Sequence, residues 1–152
     1  MRDVVQLVVD QFRDELAPGQ LTLDVRQPVV GRWDRLGLEQ VVANLLSNAI
    51  KYGNGQPIRI SLESDGRSAR VSVTDHGIGI APEQQQRLFA RFERGVSSRQ
   101  YGGFGLGLWI TRQVAEAMHG EISVDSRPGQ GATFSIVLPL AGSRGSETRK
   151  GN

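Results

Sequence analysis

The stretch "PIRISLESDGRSARVSVTD", residues 57–75, alternates apolar and polar side chains on both sides of an Asp-Gly pair. Alternation with a period of two is typical of a strand that buries one face and exposes the other. An Asp-Gly pair between two such runs favours a tight hairpin turn. We therefore predict a β-hairpin that turns at Asp65-Gly66 and packs one face against other elements.

The sequence before this hairpin predicts two helices and two strands. Apolar side chains at helical spacing over residues 4–12 predict a helix that ends at residues 18–19, a Pro-Gly pair. Residues 21–26 alternate like a half-buried strand, and the apolar residues 28–33 are predicted to pair nearby. Over residues 34–52 the apolar positions follow a 3.6-residue period, which predicts an amphipathic helix.

The sequence after the hairpin predicts two more helices and a second hairpin. In chain order we predict a helix over residues 82–92, a loop over 93–105, a helix over 106–118 with Gly120 as its C-cap, and a hairpin over 121–140 that turns at 128–131. This order differs from the regular βαβ alternation of a doubly wound fold. It predicts an α+β fold, a two-layer α/β sandwich whose mixed sheet has one face covered by about three helices. Residues 141–152 are polar and are predicted to be disordered.

The composition excludes several classes of protein. The 152 residues fit one domain, and 18 basic against 16 acidic side chains leave a net charge of only +2, with no basic stripe for nucleic acid. Without cysteine there are no disulfides and no thiolate metal sites. No apolar run approaches the roughly 20 residues of a membrane span, and no signal peptide opens the chain.

Polar side chains lie beside the apolar stripe of the predicted helix 34–52. Asn44, Asn48 and Lys51 fall within about 60° of one another on a helix that turns 100° per residue. Amide oxygen is a hard ligand suited to Mg²⁺, and the ammonium group of a lysine attracts an anion. Taken alone, these residues more often mark a solvated helix edge.

Two glycine-containing stretches are further candidates for a binding site. In "DHGIGI", residues 75–80, the carboxylate of Asp75 can accept a hydrogen bond from an amine such as that of adenine, although a simple turn also explains it. "GGFGLGLW", residues 102–109, opens a helix, and helix N-termini suit phosphate groups. Glycines there let the backbone approach a ligand, but alone they also fit a turn or a linker.

The order and spacing of these blocks resemble the catalytic and ATP-binding domain of bacterial sensor histidine kinases, from about residue 4 to residue 140. The blocks are N44-x₃-N48-x₂-K51-Y52, D75-x-G77-x-G79, F89-x₂-F92 and G103-x-G105-x-G107. "NLLSNAIKY" and "GLGL" are specific to the histidine-kinase branch of a superfamily that includes gyrase-type and Hsp90-type ATPases. The resemblance implies that residues 1–140 form one domain with a Bergerat ATP-binding fold and an ATP lid. It also implies ATP and Mg²⁺ as cofactors.

The resemblance also implies roles for individual residues. Asn44 would bind Mg²⁺, Asn48 would lie against the phosphates, and Lys51 would approach the phosphates or the ribose. Tyr52 would flank the adenine, and Asp75 would accept a hydrogen bond from its amino group. The remaining implied positions are Gly77 and Gly79 in the adenine pocket, Phe89 and Phe92 at the lid, Arg94 near the phosphates, Gly103, Gly105, Leu106, Gly107 and Leu108 in the second glycine block, and Gly129, Gly131 and Thr133 in the last block. Core packing also explains Phe89, and a hairpin turn also explains Gly129 and Gly131.

The function implied by the resemblance is transfer of the γ-phosphate of ATP to a histidine on a separate dimerisation and phosphoacceptor domain of the same parent protein. A response regulator receiver domain would act downstream. No phosphoacceptor helix precedes Val4, so we expect a monomeric domain that binds Mg-ATP without phosphorylating itself, and we assign no general base. We expect it in the cytoplasm and without membrane contact, and a membrane-anchored parent is consistent with the family. The alternatives are a serine kinase of the anti-sigma-factor type and a non-enzymatic nucleotide-sensing or docking module.

Overall fold

The computed structural model describes residues 1–26, 29, 31–85, 89 and 104–140. Within them the chain forms four helices, one 3₁₀ turn and five strands. They are α1 (Arg2–Gln11), the 3₁₀ turn (Arg13–Glu15), β1 (Leu21–Val25), α2 (Arg35–Tyr52), β2 (Ile58–Ser64), β3 (Ser68–Asp75), α3 (Pro82–Gln85), α4 (Phe104–Ala117), β4 (Glu121–Ser126) and β5 (Ala132–Pro139). No helix among the described residues is long and apolar enough to cross a bilayer.

The five strands form one mixed sheet in the order β1-β2-β3-β5-β4. β1 and β2 are parallel, and every other neighbouring pair is antiparallel. The register aligns apolar residues in rows across the sheet, for example Leu23, Ile60, Val73, Phe134 and Val124. The adjacent row on the other face is polar and comprises Asp24, Ser61, Ser72, Ser135 and Ser123. The sheet therefore has one apolar face and one polar face, which we call the open face.

The long helices α1, α2 and α4 cover the apolar face of the sheet. α2 is central, because it packs against α1, against α4 and over β3, while α4 also contacts β4. The buried side chains of these three helices and of the apolar sheet rows form one hydrophobic core. The predicted two-layer α+β sandwich with about three covering helices is confirmed.

The central hairpin is confirmed at the predicted turn. Asp65 Oδ1 accepts hydrogen bonds from the backbone N–H groups of Arg67 and Ser68, at 2.9 and 2.8 Å. These two bonds lower the pKa of the exposed Asp65 carboxyl group. Gly66 has a φ of +91°, a conformation that side chains rarely adopt. The Asp-Gly pair thus supplies both the acceptor and the backbone freedom that the turn needs.

The first helix ends earlier than predicted. α1 stops at Gln11, and Arg13–Glu15 form a single 3₁₀ turn before Leu16 becomes extended. Continuation of the helix would have placed Asp14 and Glu15 near its negatively polarised C-terminal end, which is unfavourable. Phe12 instead packs against the core where the helix ends.

The prediction that residues 28–33 pair as a strand is wrong for residues 29 and 31–33, which the structure describes. Val29 and residues 31–33 belong to no strand. Val29 is buried in the core, and its carbonyl accepts a hydrogen bond from the amino group of Met1 at 3.2 Å. Trp33 Nε1 donates to the carbonyl of Pro139 at 3.2 Å. These contacts bury an apolar segment without sheet pairing, because burial needs only that polar groups find some partner.

The last helix differs from prediction at both ends. α4 begins at Phe104, so the predicted loop is shorter at this end. At the other end His119, not Gly120, takes the left-handed conformation, with a φ of 64°. Gly120 is needed for space, since a Cβ there would lie 2.6 Å from the backbone carbonyl oxygen of Val137. The predicted C-cap at Gly120 is therefore replaced by His119, while the second hairpin turns as predicted.

Several predicted features lie outside the described residues. They are the continuation of the third helix past Gln85 apart from Phe89, the positions Phe92, Arg94 and Gly103 together with most of the predicted lid, and the polar tail 141–152.

Candidate nucleotide-binding site

Asp75 ends strand β3 on the helix-covered face of the sheet, where its side chain is only 5% exposed. Its Oδ1 accepts a hydrogen bond from the backbone N–H of Gly77 at 2.9 Å. Burial raises the pKa of Asp75, and hydrogen bonding from the Gly77 and Ala132 backbone opposes this shift without cancelling it. Burial disfavours the charged form of this carboxyl group. The ionised carboxylate can accept a hydrogen bond from a donor that enters the pocket.

The pocket around Asp75 brings predicted and unpredicted residues together. From the predicted set it contains Asn48, Tyr52, Asp75 and Gly79. Its other lining residues are Ile80, Ala132 and Phe134, which the sequence interpretation did not name. Ala132 stands directly opposite Asp75 in the β3–β5 register, and Phe134 lies two residues further on the same face. The buried carboxylate in this small cavity can accept a hydrogen bond from an amino group.

Two glycines after β3 make close backbone contacts beside this pocket. A Cβ on Gly77 would lie 1.9 Å from the carbonyl oxygen of Tyr52, and one on Gly79 would lie 2.0 Å from that of Arg127. Backbone hydrogen bonds tie the loop after β3 to two other segments. The N–H of Ile78 donates to the carbonyl of Tyr52 at 3.2 Å, and the carbonyl of Ile78 accepts from the N–H of Gly129 at 2.7 Å. These contacts leave no room for a side chain at either position, and the role of Gly77 and Gly79 in shaping the pocket stays a prediction.

The side chains predicted on one ridge of α2 differ in their surroundings. Asn48 is buried and lines the pocket, while Lys51, in the last turn, is exposed. Tyr52 is half-buried, and burial raises the pKa of its hydroxyl group. Asn44, one turn before Asn48, donates a hydrogen bond from Nδ2 to Thr111 Oγ1 of α4 at 2.9 Å.

Helices α2 and α4 run in opposite directions where they touch. Gly37 of α2 lies beside Val114 of α4, whereas Asn44, further along α2, meets the earlier residue Thr111. The first turn of α4 is therefore directed towards the end of α2 that carries Asn48 and Lys51. Unpaired N–H groups at a helix N-terminus and a lysine ammonium group together favour an anion such as a polyphosphate.

The donor set at this position fits Mg²⁺ held jointly with a phosphorylated ligand. The described residues contain no cluster of three or more histidine or acidic side chains that could bind a metal ion by themselves. Mg²⁺ keeps several waters and is commonly bound by one or two protein oxygens together with phosphate oxygens. The amide oxygen of Asn44 can supply one such hard ligand.

Thr133 is not brought to the pocket. Its side chain lies on the open face, where Oγ1 is 3.0 Å from Thr74 Oγ1. Successive residues of a strand point to opposite faces, so the neighbour Ala132 faces Asp75 instead. Thr133 is therefore placed away from the adenine pocket that its motif suggested.

The remaining described candidates pack in the protein interior or begin α4. Phe89 contacts Phe134 edge to face, with ring centroids 6.3 Å apart, which agrees with the core-packing interpretation of Phe89. Leu108 is fully buried in the core. Gly105, Leu106 and Gly107 lie in the first turn of α4.

Comparison with known proteins identifies the family. Residues 33–142 match the family of histidine kinase-, DNA gyrase B- and HSP90-like ATPases. Over 148 residues, 93% of its length, the chain is 40% identical to sensor histidine kinase AruS of Pseudomonas aeruginosa, of which it spans 15%.

Solved structures give the same result. The mycobacterial sensor histidine kinase MprB is 30% identical, with a TM-score of 0.77 over 93% of this chain and 95% of that one. Full-length ShkA, solved in complex with AMPPNP, is 28% identical, with a TM-score of 0.77 over 91% of this chain and 30% of that one. The chain therefore belongs to the family of histidine kinase-, DNA gyrase B- and HSP90-like ATPases and, within it, to the catalytic domains of sensor histidine kinases.

Proposed function

We propose that this domain binds Mg-ATP in the pocket around Asp75 and donates the γ-phosphate to a histidine on a separate domain of its parent protein. The observation that carries the proposal is the buried Asp75 carboxylate, enclosed by Asn48 and Tyr52 of α2 and by Ala132 and Phe134 of β5. The binding of AMPPNP by ShkA, a relative with the same fold, supports a nucleotide as the ligand.

Each part of the site has a distinct task in this proposal. The Asp75 carboxylate accepts a hydrogen bond from the adenine amino group, while Tyr52 and the apolar walls pack against the ring. Asn48, Lys51 and the first turn of α4 face the phosphates. Asn44 contributes an oxygen ligand to Mg²⁺, which when bound neutralises charge on the phosphate oxygens.

The phosphoryl acceptor lies outside this chain in the proposal. The chain spans 15% of AruS, and a histidine elsewhere in such a parent would attack the γ-phosphorus while ADP departs. Catalysis of phosphoryl transfer depends mainly on positioning and charge stabilisation, so this domain needs no general base of its own. We propose that the isolated domain binds ATP without phosphorylating itself, and that it operates in the cytoplasm upstream of a response regulator receiver domain.

The identity of the acceptor distinguishes this proposal from a serine kinase of the anti-sigma-factor type. The similarity to proteins named sensor histidine kinases favours histidine. Phosphohistidine is acid-labile and phosphoserine is acid-stable, so acid treatment of the labelled parent protein separates the two alternatives.

The decisive test is calorimetric titration of the chain with a non-hydrolysable ATP analogue, with and without Mg²⁺. We expect a Kd on the order of 1–100 μM for the unmutated chain, and at least a tenfold loss in Asp75→Asn. Asp24→Asn, which changes a carboxylate on the open face of β1, is the matched control and should bind like the unmutated chain. Failure of the folded, unmutated chain to bind would reject the proposal and favour a docking module.

A further inference from the structure

A hydrogen bond between two helices holds the side chain of Asn44. Its Nδ2 donates to Thr111 Oγ1 at 2.9 Å, across the contact between α2 and α4. The two residues are separated by 67 positions in the sequence, so the bond depends on the tertiary fold. Thr111 is fully buried, whereas Asn44 is half-buried.

Thr111 occupies a position where an apolar side chain would be expected. Leu108 and Ala115, one turn away on either side, are fully buried members of the core. A hydroxyl group buried among them costs free energy unless it is hydrogen-bonded. Only four polar side chains are buried among the described residues, and two of the others, Asn48 and Asp75, line the nucleotide pocket. The threonine hydroxyl at this buried position therefore needs hydrogen-bond partners, and Asn44 is one of them.

The bond sets the orientation of the Asn44 amide. A carboxamide carries its NH₂ donor and its carbonyl acceptor on opposite sides, so fixing one directs the other. A threonine hydroxyl inside a helix commonly donates its own proton to a carbonyl one turn earlier, which leaves its oxygen to accept from the amide. With its NH₂ donating to Thr111, Oδ1 is the polar atom of the Asn44 side chain that remains for another partner. Oδ1 is the only atom of this side chain that can bind a cation.

We infer that Thr111 is a positioning residue for Mg²⁺, which acts by holding the Asn44 amide with its oxygen ready to bind the ion. This inference depends on the proposed function, because it assigns Thr111 a part in the same nucleotide site. Groups that orient a metal ligand typically change metal affinity by about 10- to 100-fold when they are removed. Thr111 need not touch the nucleotide to have this effect.

The test separates the hydroxyl group of Thr111 from its shape. Thr111→Val keeps the branched shape and removes the acceptor, whereas Thr111→Ser keeps the hydroxyl and removes a methyl group. Binding of the non-hydrolysable ATP analogue is titrated by calorimetry over a range of Mg²⁺ concentrations, and ADP binding is measured in excess EDTA.

We expect Thr111→Val to bind ADP in EDTA within about twofold of the unmutated chain but to need about tenfold more Mg²⁺ for tight binding of the analogue. Thr111→Ser should retain the normal Mg²⁺ requirement even if its melting temperature falls. If the valine variant does not fold, Thr111→Ala takes its place. It should show the same increase in the Mg²⁺ concentration needed for tight binding of the analogue.

A merely structural role for Thr111 would give a different pattern. Variants without the hydroxyl that show a normal Mg²⁺ requirement would overturn the inference, whatever their thermal stability. An equally raised Mg²⁺ requirement in Thr111→Ser would also overturn it. Either result would leave nucleotide binding by the unmutated chain intact. Failure of the proposed function itself is distinguishable, because the unmutated chain would then bind no nucleotide with or without Mg²⁺, and the inference would fall with it.

Discussion

The carboxyl group of Asp75 costs stability in the absence of a ligand. It is 5% exposed, and the opposing hydrogen bonds do not fully offset the effect of burial on its pKa. Selection for stability alone would not place an ionisable side chain at this buried position. The conflict between stability and chemistry is typical of a binding site and is strongest at this single residue.

This conflict predicts a pH-dependent difference between the unmutated chain and Asp75→Asn. The folded-state pKa of Asp75 lies above the ordinary value of 3.8. Between these two pKa values the folded state binds more protons, so the free energy of unfolding contributed by Asp75 falls as pH rises through that window. At pH 7 the ligand-free variant should be more stable by about 0.5–2 kcal/mol, because asparagine never ionises and its oxygen still accepts from Gly77, although its NH₂ group cannot accept from Ala132.

Urea denaturation of both proteins at several pH values measures this difference. The advantage of the variant should shrink as pH falls towards 3.8, because Asp75 of the unmutated chain then becomes protonated. Asp24→Asn provides the control for a general effect of removing one negative charge. A variant that is less stable than the unmutated chain at pH 7 would show that the carboxylate contributes more by its hydrogen bonds than it costs by burial.

The sequence identified the polar site residues better than the apolar ones. Asp75, Asn48 and Tyr52 carry functional groups, so their types and spacing could be matched to chemistry before the structure was known. Ala132 and Phe134 look like ordinary alternating strand residues, and only the register with β3 places them in the pocket. The position of Thr133 on the open face has the same origin, since a shift of one residue along a strand changes the face.

At the scale of elements, periodicity predicted the helices and strands that build the core, but contacts between distant segments set their ends. The irregular path around Val29 follows from packing that local patterns do not encode, and at the end of α1 the packing of Phe12 adds to the unfavourable position of Asp14 and Glu15. Gly120 is a similar case, because the lack of space for a side chain there comes from β5.

Two glycines in the turn between β4 and β5 allow the effect of a positive φ to be distinguished from the effect of a steric clash. Gly129 and Gly131 share a φ of +78°, but a Cβ on Gly129 would meet nothing within 4 Å. A Cβ on Gly131 would lie 2.1 Å from the carbonyl oxygen of Asp75. We expect Gly129→Ala to cost about 1 kcal/mol of unfolding free energy and Gly131→Ala about 3 kcal/mol, because only the second adds a clash.

Chemical denaturation measures both costs, and Gly131→Ala should also weaken nucleotide binding because the backbone of Asp75 must move. Gly129→Ala is the matched control, since it has the same turn and the same φ without the contact. Equal costs for the two substitutions would mean that the turn conformation alone accounts for both glycines.

At the scale of the whole molecule, the sheet separates two kinds of surface. The helix-covered face holds the core and the pocket, while the open face carries paired hydroxyls such as Ser72 and Ser135, whose Oγ atoms are 2.9 Å apart. Charged side chains flank these rows, for example Glu63 beside Arg70. A polar sheet face of this kind has little tendency to associate with another copy.

We therefore expect the chain to be a monomer of 16.6 kDa in solution. The large apolar side chains exposed among the described residues are Leu7, Leu36 and Ile78, which lie on separate elements. Light scattering coupled to size exclusion measures the mass with and without Mg²⁺ and nucleotide. A stable dimer at micromolar concentration would contradict the prediction.

The three segments that meet at the pocket have a consequence for biosynthesis. The end of α2, the loop after β3 and the turn before β5 are held together by backbone hydrogen bonds, so none of them forms the pocket alone. Asp75 obtains its opposite wall only when β5 pairs with β3. A nascent chain on the ribosome thus has no nucleotide site until residues near 134 have emerged and paired. The pocket around Asp75 is complete only after β5 has paired with β3, so a chain truncated before residue 134 lacks it.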